Sequence, residues 1–254
     1  MKFNFTIENK KSFTLIEILV VVSIMATLSS IVLASLNVTR SKAKDTAIKS
    51  NLNNMGPQME LSYSDNGNYF GINSSNENTT CIGPIAKMAE AIVRNGATVR
   101  CFSFYNPLAG DLYQRWAASS IIYDSTLPIK AWSSSPGGIV TWDAKGVNSS
   151  GVPVENDVAM TWDNAVTACA TAGGRLPTIE ELKTLINATY VASGNTSHTP
   201  PGFKTFYYWS STQSPPSNNN STYAYTVSLT MSSGGNVGTT SKNFPDYIYV
   251  HCVR

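Results

Sequence analysis

From Phe13 the chain reads FTLIEILVVVSIMATLSSIVLASLNVTR, with no charged residue between Glu17 and Arg40. At about 1.5 Å rise per residue, the uncharged run Ile18 to Thr39 would reach about 33 Å as a helix, enough to cross a hydrocarbon core of about 30 Å. After Arg40 the pattern turns amphipathic. Ala43, Ala47, Ile48, Leu52 and Met55 recur at helical spacing, while Lys42, Lys44 and Lys49 fall on other faces. The helix is expected to run to about Leu61, with Gly56-Pro57 as its kink or stop. A short helix over 83–96 follows, with Pro84 near its start, Ile85, Met88, Ala89 and Ile92 on one face, and Gly96 at its end. Strands are predicted at 97–104, 115–123 and 138–143, and NSSGVP (148–153) reads as a linker.

The pattern then restarts. Thr161 is placed to cap a helix whose Trp162, Ala165, Val166 and Cys169 share a face, stopped by Gly173-Gly174. Thr178 and Glu181 form a T-x-x-E capping box for another helix, with Leu182, Leu185 and Ile186 as its buried stripe. Favourable charge at that helix start accounts for the Glu180-Glu181 pair. Short strands at 206–211, 223–229 and 247–254 complete the chain, and helices followed by loops and strands predict an α+β fold.

Charge and composition narrow the function. Charged residues are 13% of the chain, about half the usual share of about 25%. The formal +2 comes from Lys2, Lys10 and Lys11 against Glu8; the other acidic and basic side chains balance. Such a surface does not suit nucleic-acid binding, and a basic flank before an apolar run places the N-terminus on the cytoplasmic side of a membrane. Two histidines and four cysteines argue against a metal cluster, and no cofactor is expected. His198 lies in a Thr/Pro/Gly-rich loop and His251 beside Cys252, and no nucleophile-elbow, H-E-x-x-H or phosphate-loop pattern occurs, so no enzyme is expected. Cys81 and Cys101 bracket the short helix, where an exported chain favours a disulfide over free thiols.

The string KKSFTLIEILVVVSIM resembles the leader and helix start of type IV prepilins and pseudopilins. The resemblance implies cleavage between Ser12 and Phe13 by a prepilin peptidase, which also N-methylates Phe13. It further implies that Glu17, fifth in the mature chain, pairs with the α-amino group of a neighbour's Phe13 in the filament core, so that neither charge stays unpaired. Ser12 departs from the usual Gly before the cut, and no proline interrupts the helix near Ala34. MELSYSDNGNYFG (59–71) resembles the end of a pilin helix, and WDAKG (142–146) the end of some minor-pilin heads. Implied partners are other pilin subunits, the peptidase/methylase and the inner-membrane assembly platform. The implied location is the bacterial inner membrane as a single-pass precursor, then the pilus or cell surface.

TWDNAVTACATAGGRLPTIEELKTL, YYWSST and a terminal YVHCVR resemble the C-type-lectin-like domain that ends Legionella collagen-like proteins and many bacterial surface proteins. This implies a disulfide between Cys169 and Cys252 and, with it, a Cys81–Cys101 pair, one of three connectivities four cysteines allow. The expected organisation is a leader (1–12), a transmembrane and assembly helix (13–60), a pilin-type head (61–148) and a lectin-like domain (149–254). Loops 187–205, 213–222 and 230–246 would carry any ligand site. Its candidate residues, suited to a surface glycan or a protein, are Tyr207, Tyr208, Asn218, Asn219, Asn220, Tyr223, Asn243 and Asp246, with Trp209 read as core. The calcium motifs of sugar-binding C-type lectins are absent, and NFPD (243–246) is a poor substitute, so no metal is expected. Three readings follow: a minor pilin displaying an adhesive domain, a type II secretion-type pseudopilin whose C-terminal domain is structural, and a diversified ligand-binding module on a pilus.

Overall fold

The computed structural model describes residues 14–67, 69, 81–106, 111–122, 130–136, 138–194, 199–213, 222–229, 236–244 and 247–254. Two compact units divide the chain, residues 1–45 and 46–254. In the first, helix α1 (Leu15–Asn66) begins, and its large apolar side chains between Leu15 and Val38 are exposed. This helix is long and apolar enough to cross a membrane.

In the second unit α1 continues through Gly56-Pro57 to Asn66, ending at Gly67 with φ +69°. The expected stop is overridden because Ile48, Leu52, Met55 and Met59, all fully buried, keep one stripe against the core. Proline lacks the N–H for one backbone bond, and packing of this stripe compensates. A 3₁₀ turn at Gly83–Ile85 leads into α2 (Ala86–Arg94). Four strands follow as an antiparallel sheet in sequence order: β1 (Thr98–Asn106), β2 (Asp111–Ile122), β3 (Lys130–Ser135) and β4 (Gly138–Thr141).

Register decides what each face of this sheet carries. Ser120 pairs with Trp132 and Ser119 with Ser133, so alternate residues point to opposite sides. Val99, Cys101, Trp116, Ala118 and Trp132 pack with the α1 stripe, with Ile85 of the 3₁₀ turn and with Ala89 and Ile92 of α2. On the other face Ile121, Ala131 and Val140 meet Ile179, Leu182, Leu185 and Ile186 of helix α4 (Ile179–Ala192). The boundary expected at 148/149 therefore falls inside one compact unit, and the sheet expected to belong to the head shares its second face with the C-terminal domain.

The segment 148–153 is a closed turn between β5 (Gly146–Val147) and β6 (Pro153–Val154). Asn148 Oδ1 accepts from the backbone N–H of Ser150 and Val152, both at 3.0 Å, the Asx geometry that asparagine supplies in turns. Gly151, at φ +74°, sits where a Cβ would lie 2.9 Å from the Ala168 carbonyl. Its Ser, Gly and Pro content looked like a linker, but the Asn148 bonds, the Gly151 fit and the Pro153 pairing make it the turn of a hairpin.

Beyond it, α3 (Trp162–Thr171) lies against a second sheet of order β10-β7-β8-β9: β7 (Tyr207–Gln213), β8 (Tyr223–Ser228), β9 (Asn236–Ser241) and β10 (Ile248–Tyr249). Thr161 occupies the N-cap without a side-chain hydrogen bond, so its expected capping role is not used. The 230–246 loop contains β9, and α4 occupies the start of the 187–205 loop, since Ala188 and Thr189 are buried. Ala165, Ala168, Cys169, Leu176, Trp209 and Ile248 belong to a third core cluster, and Cys169 is bonded to Cys252. A second disulfide joins Cys81 to Cys101. Converting Cys169 and Cys252 together to Ser is expected to destabilise the folded unit by about 4 kcal/mol, because the bridge closes a separation of 83 residues. Chemical unfolding of the full chain measures it, and an unchanged midpoint would refute the estimate.

Candidate functional site

Two regions carry the candidate residues, one in each unit. At the start of α1, the N–H of Glu17 donates to Thr14 Oγ1 at 3.3 Å, while the Thr14 N–H and hydroxyl both reach Glu17 Oε2 at 3.4 Å. This reciprocal pattern is a capping box at the first turn. Thr14 was not among the expected site residues, although T-L-I-E carries the same T-x-x-E signal that located the start of α4. Glu17 thus has a role within its own helix, and its carboxylate stays on an exposed part of the chain. Ser12 and Phe13 lie outside the described residues.

The ligand candidates of the C-terminal domain separate into different environments. Tyr208 is fully buried, its hydroxyl donating to Asp157 Oδ2 and accepting from the Lys204 backbone N–H at 2.6 Å. It is a core residue and not a ligand contact. Its alternating position on β7 turns it inward while Tyr207 turns outward. Trp209 is likewise buried and donates from Nε1 to the Met160 carbonyl at 2.7 Å.

Tyr207 and Tyr223 are exposed, at 44% and 41%. Tyr207 lies opposite Ser228, whereas Tyr223 lies opposite Ser241, so they stand at opposite ends of β8, about 17 Å apart along the strand. Asn243, also exposed, follows β9 at the Tyr223 end. Asn218, Asn219, Asn220 and Asp246 lie outside the described residues. The Tyr207 end has its own aromatic neighbours, which sequence reading missed. Phe206 and Tyr249 rings lie 5.4 Å apart, Lys204 Nζ stands 4.8 Å over the Tyr249 ring, and the exposed Tyr247 holds φ +70°.

Beneath this end runs a buried polar chain that also went unrecognised. His251, fully enclosed, places Nδ1 3.0 Å from Asp157 Oδ1 and Nε2 2.7 Å from the Asp143 carbonyl. A carbonyl only accepts, so Nε2 carries the hydrogen. Phe203 stacks on the imidazole at 3.9 Å. Burial first, then the Asp157 charge, raises the Tyr208 hydroxyl far above the usual tyrosine range. Burial also lifts the Asp143 carboxyl above its ordinary value, against the opposing pull of Arg254 and His251. Gly146 is required beside this chain: a Cβ there would lie 2.4 Å from Asp157 Oδ1. With the His251 and Asp157 side chains fully buried, the network is a strut within the core. Tyr208→Phe is expected to cost about 1–3 kcal/mol in urea unfolding, since an Asp157 oxygen and the Lys204 N–H lose their partner. Tyr207→Ala and Tyr223→Ala should each stay within about 0.5 kcal/mol. Equal costs at all three positions would overturn this division between core and surface.

Comparison with known proteins bears on both units. Residues 8–33 match the prokaryotic N-terminal methylation motif, and residues 132–254 match the Lcl C-terminal domain. The second match starts within β3 and takes in most of that strand and all of β4. A similar protein is the type IV wide pilus major component PilA4 of Thermus thermophilus, 38% identical over 61 residues, which is 24% of this chain and 47% of the relative. The chain spans about half the length of the curated relative it matches.

Proposed function

We propose that this chain, which carries a type IV prepilin methylation segment ahead of an Lcl C-terminal domain, is a minor type IV pilin-like filament subunit displaying that domain for adhesion. The observation that carries the reading is their combination in one chain: an exposed apolar helix fit for a membrane or a filament core, and a C-terminal domain whose surface bears exposed tyrosines. Peptidase cleavage at Ser12–Phe13, methylation of Phe13 and pairing of Glu17 with a neighbour's amine belong to the same proposal. So do passage through the inner membrane and delivery by the pilus assembly platform to the cell surface. With Tyr207 and Tyr223 at opposite ends of β8, a ligand site centres on one of them, together with the loop next to it. A glycan or a protein surface suits such uncharged aromatic and amide side chains.

Immunogold labelling of intact cells and sheared filaments, with an antibody to residues 151–254, tests the proposal. Gold at filament tips, or sparsely along filaments, is the expected result. Label confined to the envelope would replace it with a pseudopilin whose C-terminal domain is structural.

A further inference from the structure

We propose that the groove between α2 and the outer edge of β1 receives an extended, carboxylate-bearing segment of another polypeptide, added as a fifth strand with its carboxylate on Arg100. The groove has a volume of about 500 Å³, with apolar walls from Ala86, Ala89 and Val93 on α2 and Val99 on β1, Cys81 at its side, and the exposed Glu90–Arg94 ion pair on its rim beside Arg100. β1 is the terminal strand of its sheet, and among the described residues no backbone group pairs with the outer edge of Thr98–Cys101. A register irregularity between Phe104 and Asn106 disrupts the far end of β1, a common device against unwanted pairing; the Thr98–Cys101 end has none. Strand addition to such an edge takes affinity from main-chain hydrogen bonds and specificity from the neighbouring side-chain pockets.

Charge selects the partner. Arg94, Arg175 and Arg254 each meet a carboxylate, from Glu90, Glu181 and Asp143 respectively. Arg100 does not. Its Nη1 donates only to the carbonyl of the preceding Val99, at 2.9 Å. Burial lowers its guanidinium pKa without an acidic neighbour to offset the effect. A guanidinium offers a planar fork of donors matched to a carboxylate, and a half-enclosed one gains most from such a partner. The lengths agree as well. Four residues of β1 edge span about 13 Å, and the nine residues of α2 about the same. The Cys81–Cys101 bridge ties the segment before α2 to β1, so the groove is fixed before a partner arrives.

The inference does not depend on whether the subunit serves a pilus or a pseudopilus. Its test places the photo-crosslinker p-benzoylphenylalanine at Val93, which is 56% exposed, in the full chain within its native cells. Mass spectrometry then maps the adduct, with the same crosslinker at Val166 on α3 as the control site. One adduct specific to Val93 is expected, on an extended segment with an Asp or Glu within about two residues. Arg100→Glu should cut its yield at least tenfold, Arg100→Lys should keep most of it, and reversing the mapped acid should restore it. A retained Cys81–Cys101 bond reports that the variants are folded. No adduct at Val93, an adduct to lipid or to a helix, or an Arg100→Glu yield equal to wild type would each overturn the proposal.

Discussion

Glu17→Gln is expected to leave membrane insertion intact while cutting incorporation into filaments at least tenfold, as Glu17→Ala should. The choice of glutamine matters because Glu17 already caps its own helix through Thr14. Glutamine serves in a capping box as glutamate does, so this variant keeps the helix start and removes only the charge. If the carboxylate pairs with a neighbour's Phe13 amine, its loss leaves an ammonium unpaired in apolar surroundings. Charge-assisted hydrogen bonds contribute about 1.5–3 kcal/mol, and each 1.4 kcal/mol is tenfold in an association constant. Quantifying the subunit in sheared filaments against the membrane fraction reads the effect. If Glu17→Gln assembles normally while Glu17→Ala fails, the residue acts as a cap and the intersubunit pairing is wrong.

Among single substitutions, a large stability effect is expected at Arg175. Glu181 is completely buried and accepts four hydrogen bonds: two from Arg175 at 2.7 and 2.9 Å, one from the Thr178 N–H at 2.8 Å, and one from Ser135 Oγ at 3.0 Å. Removing one partner of a buried pair costs about 3–5 kcal/mol when the other is left uncompensated. Arg175 is 40% exposed and Glu181 keeps two donors, so Arg175→Met should cost about 2–3 kcal/mol. For a unit of this size that lowers Tm by about 5–10 °C. Arg175→Met with Glu181→Gln removes the stranded charge but retains the cap. The double variant is therefore expected to recover at least 1 kcal/mol relative to Arg175→Met. Thermal unfolding of all four proteins measures the coupling, and a strictly additive double variant would show that the ion pair contributes nothing.

Glu181 also shows where sequence reading stops. The Thr178–Glu181 capping box was legible because it depends on a spacing of three along one chain, and the structure forms both of its bonds. That the same glutamate is enclosed and bonded to β3 was not, because the contact separates residues 135 and 181. Strand β3 itself went unpredicted for a related reason. Its KAWSSS reads as surface, yet Ser133 and Ser134 are buried between strands, and Ser133 Oγ accepts from Trp142 Nε1 at 2.7 Å. Hydroxyls satisfied by partners distant in sequence look the same in one dimension as hydroxyls facing water. The α1 stripe was legible for the opposite reason: one periodicity ran long enough to name its buried face. It left open whether Gly56-Pro57 kinks or ends the helix, and there packing carries the helix through a local breaker. Among the ligand candidates, composition suggested one cluster, but strand direction divides Tyr207 from Tyr223.

The sheet covered on both faces has a mechanical consequence. Tension applied to the outer loops of the C-terminal domain would pass from the second sheet into α4, across four strands, and into Ile48–Met59 of α1, with a hairpin rather than a slack tether at 148–153. Among the described residues, this load path contains no slack segment. A pull strong enough to extend it must shear a helix off a sheet, so in a filament of the proposed kind the load should be released first at the ligand or between subunits.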